Sequence, residues 1–204
     1  RELLPLSYYR MAVIDDGQTL KDTAKGHQNT ASIVKGEGRR QPFAPGRIGS
    51  SLRLDGPKRG GYAQVSPGFE LPTTEFTIMA WIRAKTLPRN AILVSDMNLM
   101  GDETFRFGLV GDHGNLGLTL ANGKRSLRIE DSSPLPLEDW THVVIVKESV
   151  GLRLYRNGVL VSSEPLNGFK VKAHKPLTIG GTHKKTDSTK RHQRQGFWHG
   201  RIDE

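Results

Sequence analysis

The chain has 204 residues and no cysteine. Thiolate chemistry of every kind is therefore excluded, whether nucleophilic or metal-binding, and so is a disulfide scaffold. Carboxylates come next. Retaining glycoside hydrolysis needs two of them about 5–5.5 Å apart across the scissile bond, which on an extended backbone means side chains two or four residues apart on one face. The adjacent pairs Asp102–Glu103 and Glu130–Asp131 would face opposite sides of such a backbone, and both read as lying near turns, where solvated carboxylates are common. No G-x-S-x-G elbow and no H-E-x-x-H motif occurs. The late histidines His174, His183, His192 and His199 match no short metal-ligand spacing. These residues point to no enzyme.

The segment with the most unusual chemistry is Thr182 to Gln195, which carries Lys184, Lys185, Lys190, Arg191 and Arg194 together with His183 and His192. It has no large apolar residue and reads as a long loop before the last strand. Such a charge run is ordinarily a solvated face. Its functional reading is an anion site, for an acidic or sulfated glycan or a phosphate-rich surface. Nucleic acid is disfavoured, because no aromatic residues are interleaved to stack on bases. The remainder of the +9 net charge is spread along the chain, as at Arg39-Arg40 and Lys58-Arg59.

The elements that must carry these residues read as β almost from end to end. With 35% hydrophobic and 25% charged residues the composition is that of a soluble globular protein, and no apolar run approaches the roughly 20 residues of a membrane-spanning helix. Period-2 runs at short regular spacing predict strands over 51–54, 61–65, 76–84, 91–95, 104–110, 115–120, 126–130, 141–147, 152–156, 159–163, 177–179 and 197–202, with two more at 8–11 and 31–34. Asn157-Gly158 and Asn122-Gly123 each stand between alternating runs, as a type I′ hairpin turn requires. In Phe76–Arg83, Phe76, Ile78, Ala80 and Ile82 form a core face, and Thr77, Met79, Trp81 and Arg83 form a mixed one. Trp81 and Trp140 are assigned first to packing, for their large apolar area. Twelve to fourteen short antiparallel strands cannot make one flat sheet, so the expected architecture is an all-β sandwich of two sheets. No linker or repeat divides residues 1–204, which are expected to form one domain. The chain opens at Arg1 and stops at Glu204 in mid-pattern, and is expected to be a piece of a larger protein.

Several segments, in order, resemble the laminin-G-like, concanavalin A-like jelly-roll domains. Tyr8-Tyr9-Arg10-Met11 is similar to the family's aromatic–aromatic–Arg–Leu opening, and Asp22–Asn29 to a degraded D-x-S-G-N-G-N loop. Gly46–Gly56 (GRIGSSLRLDG) is close to G-x-x-G-x-A-L-x-F-D-G. Phe76–Ile82 is similar to F-T-I-x-A-W-V, Trp140–Val143 to W-x-H-V, and Leu152–Gly158 to L-x-L-Y-x-N-G. Leu177–Gly181 and Phe197–Glu204 are similar to the closing strands.

The resemblance implies a two-sheet antiparallel jelly roll. The enzymes on this fold are retaining glycanases with an E-x-D-x-x-E strand, yet no Glu here has Asp two residues later. A non-catalytic module is therefore implied, recognising carbohydrate or a protein surface within a larger exported bacterial protein, outside the cytoplasm and beside other domains of its parent chain. The alternatives are an inactive glycanase relative and a structural spacer. Related domains often hold one structural Ca²⁺, whose ligands here would be Asp203 with Asp15, Asp16 or Asp22. The candidate ligand-binding residues are Trp81 and the five Lys/Arg of the 182–195 segment.

Overall fold

The computed structural model describes residues 8–13, 18–24, 29–34, 36, 41–59, 61–66, 69, 71–96, 104–171, 177–182 and 196–204. The described strands are β1 (Tyr9–Val13), β2 (Thr19–Asp22), β3 (Ala31–Val34), β4 (Phe43–Pro45), β5 (Ser50–Asp55), β6 (Tyr62–Val65), β7 (Phe76–Ala84) and β8 (Ile92–Ser95). They continue with β9 (Phe105–Val110), β10 (Asn115–Ala121), β11 (Ser126–Pro134), β12 (Trp140–Lys147), β13 (Gly151–Arg156), β14 (Val159–Pro165), β15 (Thr178–Ile179) and β16 (His199–Asp203). No helix long and apolar enough to cross a membrane occurs among the described residues.

The strands form two antiparallel sheets. One has the order β1-β2-β3-β6-β15-β8-β9-β10-β11, and the other has the order β14-β13-β12-β7-β16-β5-β4. Strand alternation makes them stick together. In the seven-stranded sheet, Leu52 and Leu54, Ile82 and Ala84, Val143 and Ile145, Leu152 and Leu154 all turn inward and are buried. They join Phe105, Phe107, Leu109, Leu116 and Leu118 of the other sheet in one hydrophobic cluster. The two-face reading of Phe76–Arg83 holds residue by residue, and Thr77, Met79, Trp81 and Arg83 lie on the outer face.

Four readings are corrected. Trp140, assigned to packing, stands half-buried on the outer face, and the tryptophan of the core is Trp198, at 0% exposure. The two strands not expected are β2 and β4. Strand β11 runs on to Pro134, so Glu130 and Asp131 lie within a strand. They do face opposite ways: Glu130 is exposed on an ion pair with Arg128, while Asp131 is buried and meets Arg156 of the opposite sheet at 3.0 Å. Finally, the Asn122-Gly123 link is a four-residue loop closed by Asn122. Its main-chain N–H donates to the Arg125 carbonyl, and its Oδ1 accepts the N–H of Lys124 and Arg125. The Asn157-Gly158 turn is as expected, with φ of +51° and +81°.

Candidate functional site on the outer face of the seven-stranded sheet

Among the described residues, no strand lies over the outer face of this sheet, and only the 46–49 turn reaches across its β16 end. Cross-strand register turns its outward side chains into rows. The first row runs Arg53 (β5), Arg201 (β16), Arg83 (β7), Trp140 (β12). The second runs Asp203 (β16), Trp81 (β7), His142 (β12). The third runs Met79 (β7), Val144 (β12), Tyr155 (β13), Leu160 (β14). The face thus grades from guanidinium through aromatic to apolar within three rows.

The aromatic row is its centre. The Trp81 and His142 rings lie 5.0 Å apart at 47°, and the Arg47 guanidinium stands 5.2 Å from the Trp81 ring centre, within cation–π range. His142 is fixed through its backbone: its N–H donates to Asn157 Oδ1 and its carbonyl accepts the Asn157 N–H, both at 2.8 Å. The hairpin turn between β13 and β14 therefore sets the position of a site residue. In the third row, Met79 and Leu160 are 58% and 49% exposed, well above what a packed sheet face leaves open.

Arg47 is held by the turn between β4 and β5, which folds over the end of β16. The Gly46 N–H donates to the Gly49 carbonyl at 2.8 Å, and the Ile48 N–H donates to Asp203 Oδ2 at 2.9 Å. A side chain on Gly46 would collide with that same carboxylate oxygen and with Ser50, so close approach requires glycine here. Asp203 is fully buried. Burial pushes its carboxyl up, opposed by the main-chain N–H groups of Ile48 and Arg47. Its Oδ1 is buried with no hydrogen-bond donor.

Of the four acids expected at calcium, Asp15 and Asp16 lie outside the described residues. Asp22 is engaged elsewhere: its Oδ1 accepts the N–H of Tyr8 and of Ala24, and its Oδ2 accepts from Asn29. Among the described residues no three His, Cys, Asp or Glu gather into a metal site. Of the two described acids of the set, Asp203 keeps one oxygen, Oδ1, without a hydrogen-bond donor. The basic residues Lys184, Lys185, Lys190, Arg191 and Arg194 lie outside the described residues, as do His174, His183, His192 and the pair Asp102–Glu103. His199 is in β16, its Nδ1 2.8 Å from Thr86 Oγ1.

Arg83 stands on this face as expected, whereas Arg53 and Arg201 were not expected beside it. Arg83 donates from Nε to the Glu138 carbonyl and pairs with the Glu138 carboxylate at 3.1 Å. Arg53 and Arg201 bond main-chain carbonyls instead, those of Gln41 and Pro45, at 2.7 and 2.8 Å. The visible signal was only that each sits at a polar position of an alternating run.

Known structures similar to this chain share its fold. Domain 4 of AbnA, a GH43 extracellular arabinanase from Geobacillus stearothermophilus solved with arabinotriose, is 20% identical with a TM-score of 0.72, over 99% of this chain and 91% of that one. Domains LG4-5 of the mouse laminin α1 chain are 13% identical with a TM-score of 0.57, over 91% of this chain and 62% of theirs. The binding domain of botulinum neurotoxin DC in complex with SialylT is 19% identical with a TM-score of 0.58, over 78% of this chain and 40% of that one. No curated protein matches the sequence significantly. The family described as the concanavalin A-like lectin/glucanases superfamily, in its laminin-G form, matches residues 57–204. With that match over most of the chain, on a two-sheet antiparallel sandwich, this protein belongs to the laminin-G-like family of the concanavalin A-like lectin/glucanase superfamily.

Proposed function

We propose that this domain is a non-catalytic carbohydrate-binding module of an exported parent protein, working outside the cytoplasm, and that its binding surface is the outer face of the seven-stranded sheet. The observation that carries the reading is the half-exposed pair of rings, Trp81 and His142, beside a row of arginines. A sugar ring has an apolar C–H face and a polar rim. The Trp81 and His142 rings offer apolar aromatic surface for the one, and the arginines beside them offer donors for the other. Such a surface is costly to leave open to water unless a partner covers it. The arabinotriose bound to the similar arabinanase domain supports the ligand class.

The non-catalytic reading rests on the carboxylates. Among the described residues of this face, Glu138 is held by Arg83, Glu148 by Arg153, and Asp203 is buried under the 46–49 turn. Two free carboxylates placed for general acid and nucleophile are not found there. A structural Ca²⁺ at Asp203 is part of the same proposal, supported by its orphaned Oδ1. The ion would supply charge compensation there and no chemistry.

The test is binding of a panel of neutral and acidic oligosaccharides by calorimetry, with Trp81→Ala as control. Wild type should bind at least one, and Trp81→Ala should weaken that binding by roughly tenfold or more while melting within a few degrees of wild type. Absence of binding across the panel would leave a protein-binding or spacer domain as the better account.

A further inference from the structure

We infer that the glycan recognised on this face is anionic, its carboxylate or sulfate groups held by Arg53 and Arg201, with Arg47 beside the Trp81 ring as a third cationic donor. This deepens the proposal above and rests on it. The argument starts from a cost. Arg53, Arg201 and Arg83 are direct cross-strand partners on three adjacent strands, and like charges in that position destabilise a sheet. A fold can offset this by giving each guanidinium an acid. Here only Arg83 has one, Glu138. Arg53, Arg201 and Arg47 have no carboxylate partner among the described residues.

What holds Arg53 and Arg201 is the neutral backbone of the edge segment, through Gln41 O and Pro45 O. These contacts aim the guanidinia and leave their charge intact, and Arg53 Nε is buried with no acceptor at all. Preoriented, uncompensated guanidinium forks are suited to carboxylate or sulfate oxygens, which they bind through parallel N–H donors. The three β-strands set the arginines at intervals of about 4.8 Å, so the row spans a distance comparable to a disaccharide. Trp81 is the next outward residue along β7 from Arg83. An anionic sugar could therefore place its charged group on the first row and its ring on the second.

The experiment compares oligogalacturonate and a heparin-derived oligosaccharide with uncharged oligosaccharides of the same length, by calorimetry at low and at physiological salt. The probed proteins are wild type, Arg53→Gln/Arg201→Gln, Arg47→Gln and Trp81→Ala. Wild type should prefer one of the acidic probes, and the preference should shrink as salt rises, because exposed charges are screened over about 8 Å at physiological ionic strength. Which of the two is preferred tells carboxylate from sulfate. The double variant should lose affinity for the acidic probe by on the order of a hundredfold and keep its weak affinity for neutral sugar. It should melt within a few degrees of wild type, because removal of a like-charge pair offsets the loss of the bonds to Gln41 O and Pro45 O. Arg47→Gln, whose side chain holds no backbone carbonyl, should lose roughly tenfold and guards against a folding artefact in the double variant. Equal affinity of wild type for acidic and neutral probes, with Trp81→Ala still damaging, would overturn the anionic assignment and leave the carbohydrate reading standing. An acid preference unchanged in the double variant and in Arg47→Gln would overturn it too. No binding to any probe would overturn both.

Discussion

His199 shows how this face tunes a single group. Burial pushes its imidazole below the usual value, Lys85 adds to this, and Asp55 and Glu138 oppose it. A histidine with a depressed folded value stabilises the fold above its unfolded value of about 6.5, and that contribution is lost as pH falls through the folded value. The melting temperature should therefore decline between about pH 7 and pH 5. His199→Gln, which can keep the bond to Thr86, should show a shallower decline over the same range; an identical slope would remove His199 from the account. Single residues were unevenly legible in the sequence. Trp81 was a candidate because an aromatic on the mixed face of an alternating strand is visible locally. Arg53 and Arg201 were not, because 148 positions separate them in numbering and only pairing of β5 with β16 makes them neighbours. Trp198 was missed as the core tryptophan because the strand expected over 197–202 begins only at His199, so alternation did not give its direction.

Elements were easier to read than their partners. The strand at 76–84 and the one at 31–34 stand as expected, since both alternate cleanly. Strand β2 is Thr-Leu-Lys-Asp, with a single large apolar side chain, so its pairing with β1 and β3 rests on backbone bonds that periodicity cannot register. Strand β4 ends in Pro45, which marks an edge and weakens the strand signal. The hairpin at Asn157 was legible because the turn chemistry is local, and it also bears on the site. Proline there would fix φ near −65° where the chain needs +51°. It would also remove the N–H and the Oδ1 that hold His142. Backbone strain and two hydrogen bonds together come to roughly 3 kcal/mol, or about 10 °C in a chain of this size. Asn157→Pro should melt lower by that order and weaken glycan binding through His142. Unchanged melting would refute the role of the turn.

At the scale of the whole molecule, the count of short alternating strands and the motif order were enough to expect a two-sheet jelly roll, because burying one face of each sheet leaves few other solutions. Strand order was not legible, and the site is made by strand order. The calcium proposal also belongs here, as it would join the N-terminal segment to the last strand. Because Asp203 accepts the Ile48 N–H, replacing it by alanine would leave that donor unpaired whether or not an ion binds, so the cleaner variant is Asp203→Asn. Wild type should melt higher in millimolar calcium than in chelator, through preferential binding to the folded state, and Asp203→Asn should melt alike in both. A wild type insensitive to chelator would remove the site.

The three tryptophans of the chain occupy two optical environments. Trp198 is sealed in the core, while Trp81 and Trp140 stand half-open on the outer face. Burial should blue-shift emission from the first and shield it from aqueous quenchers until the sandwich opens. Emission from the other two responds to whatever comes down on the sheet. The protein therefore carries, without any label, one fluorophore suited to report unfolding and two placed to report occupancy of the proposed surface, and acrylamide accessibility with and without sugar would tell the two events apart in a single sample.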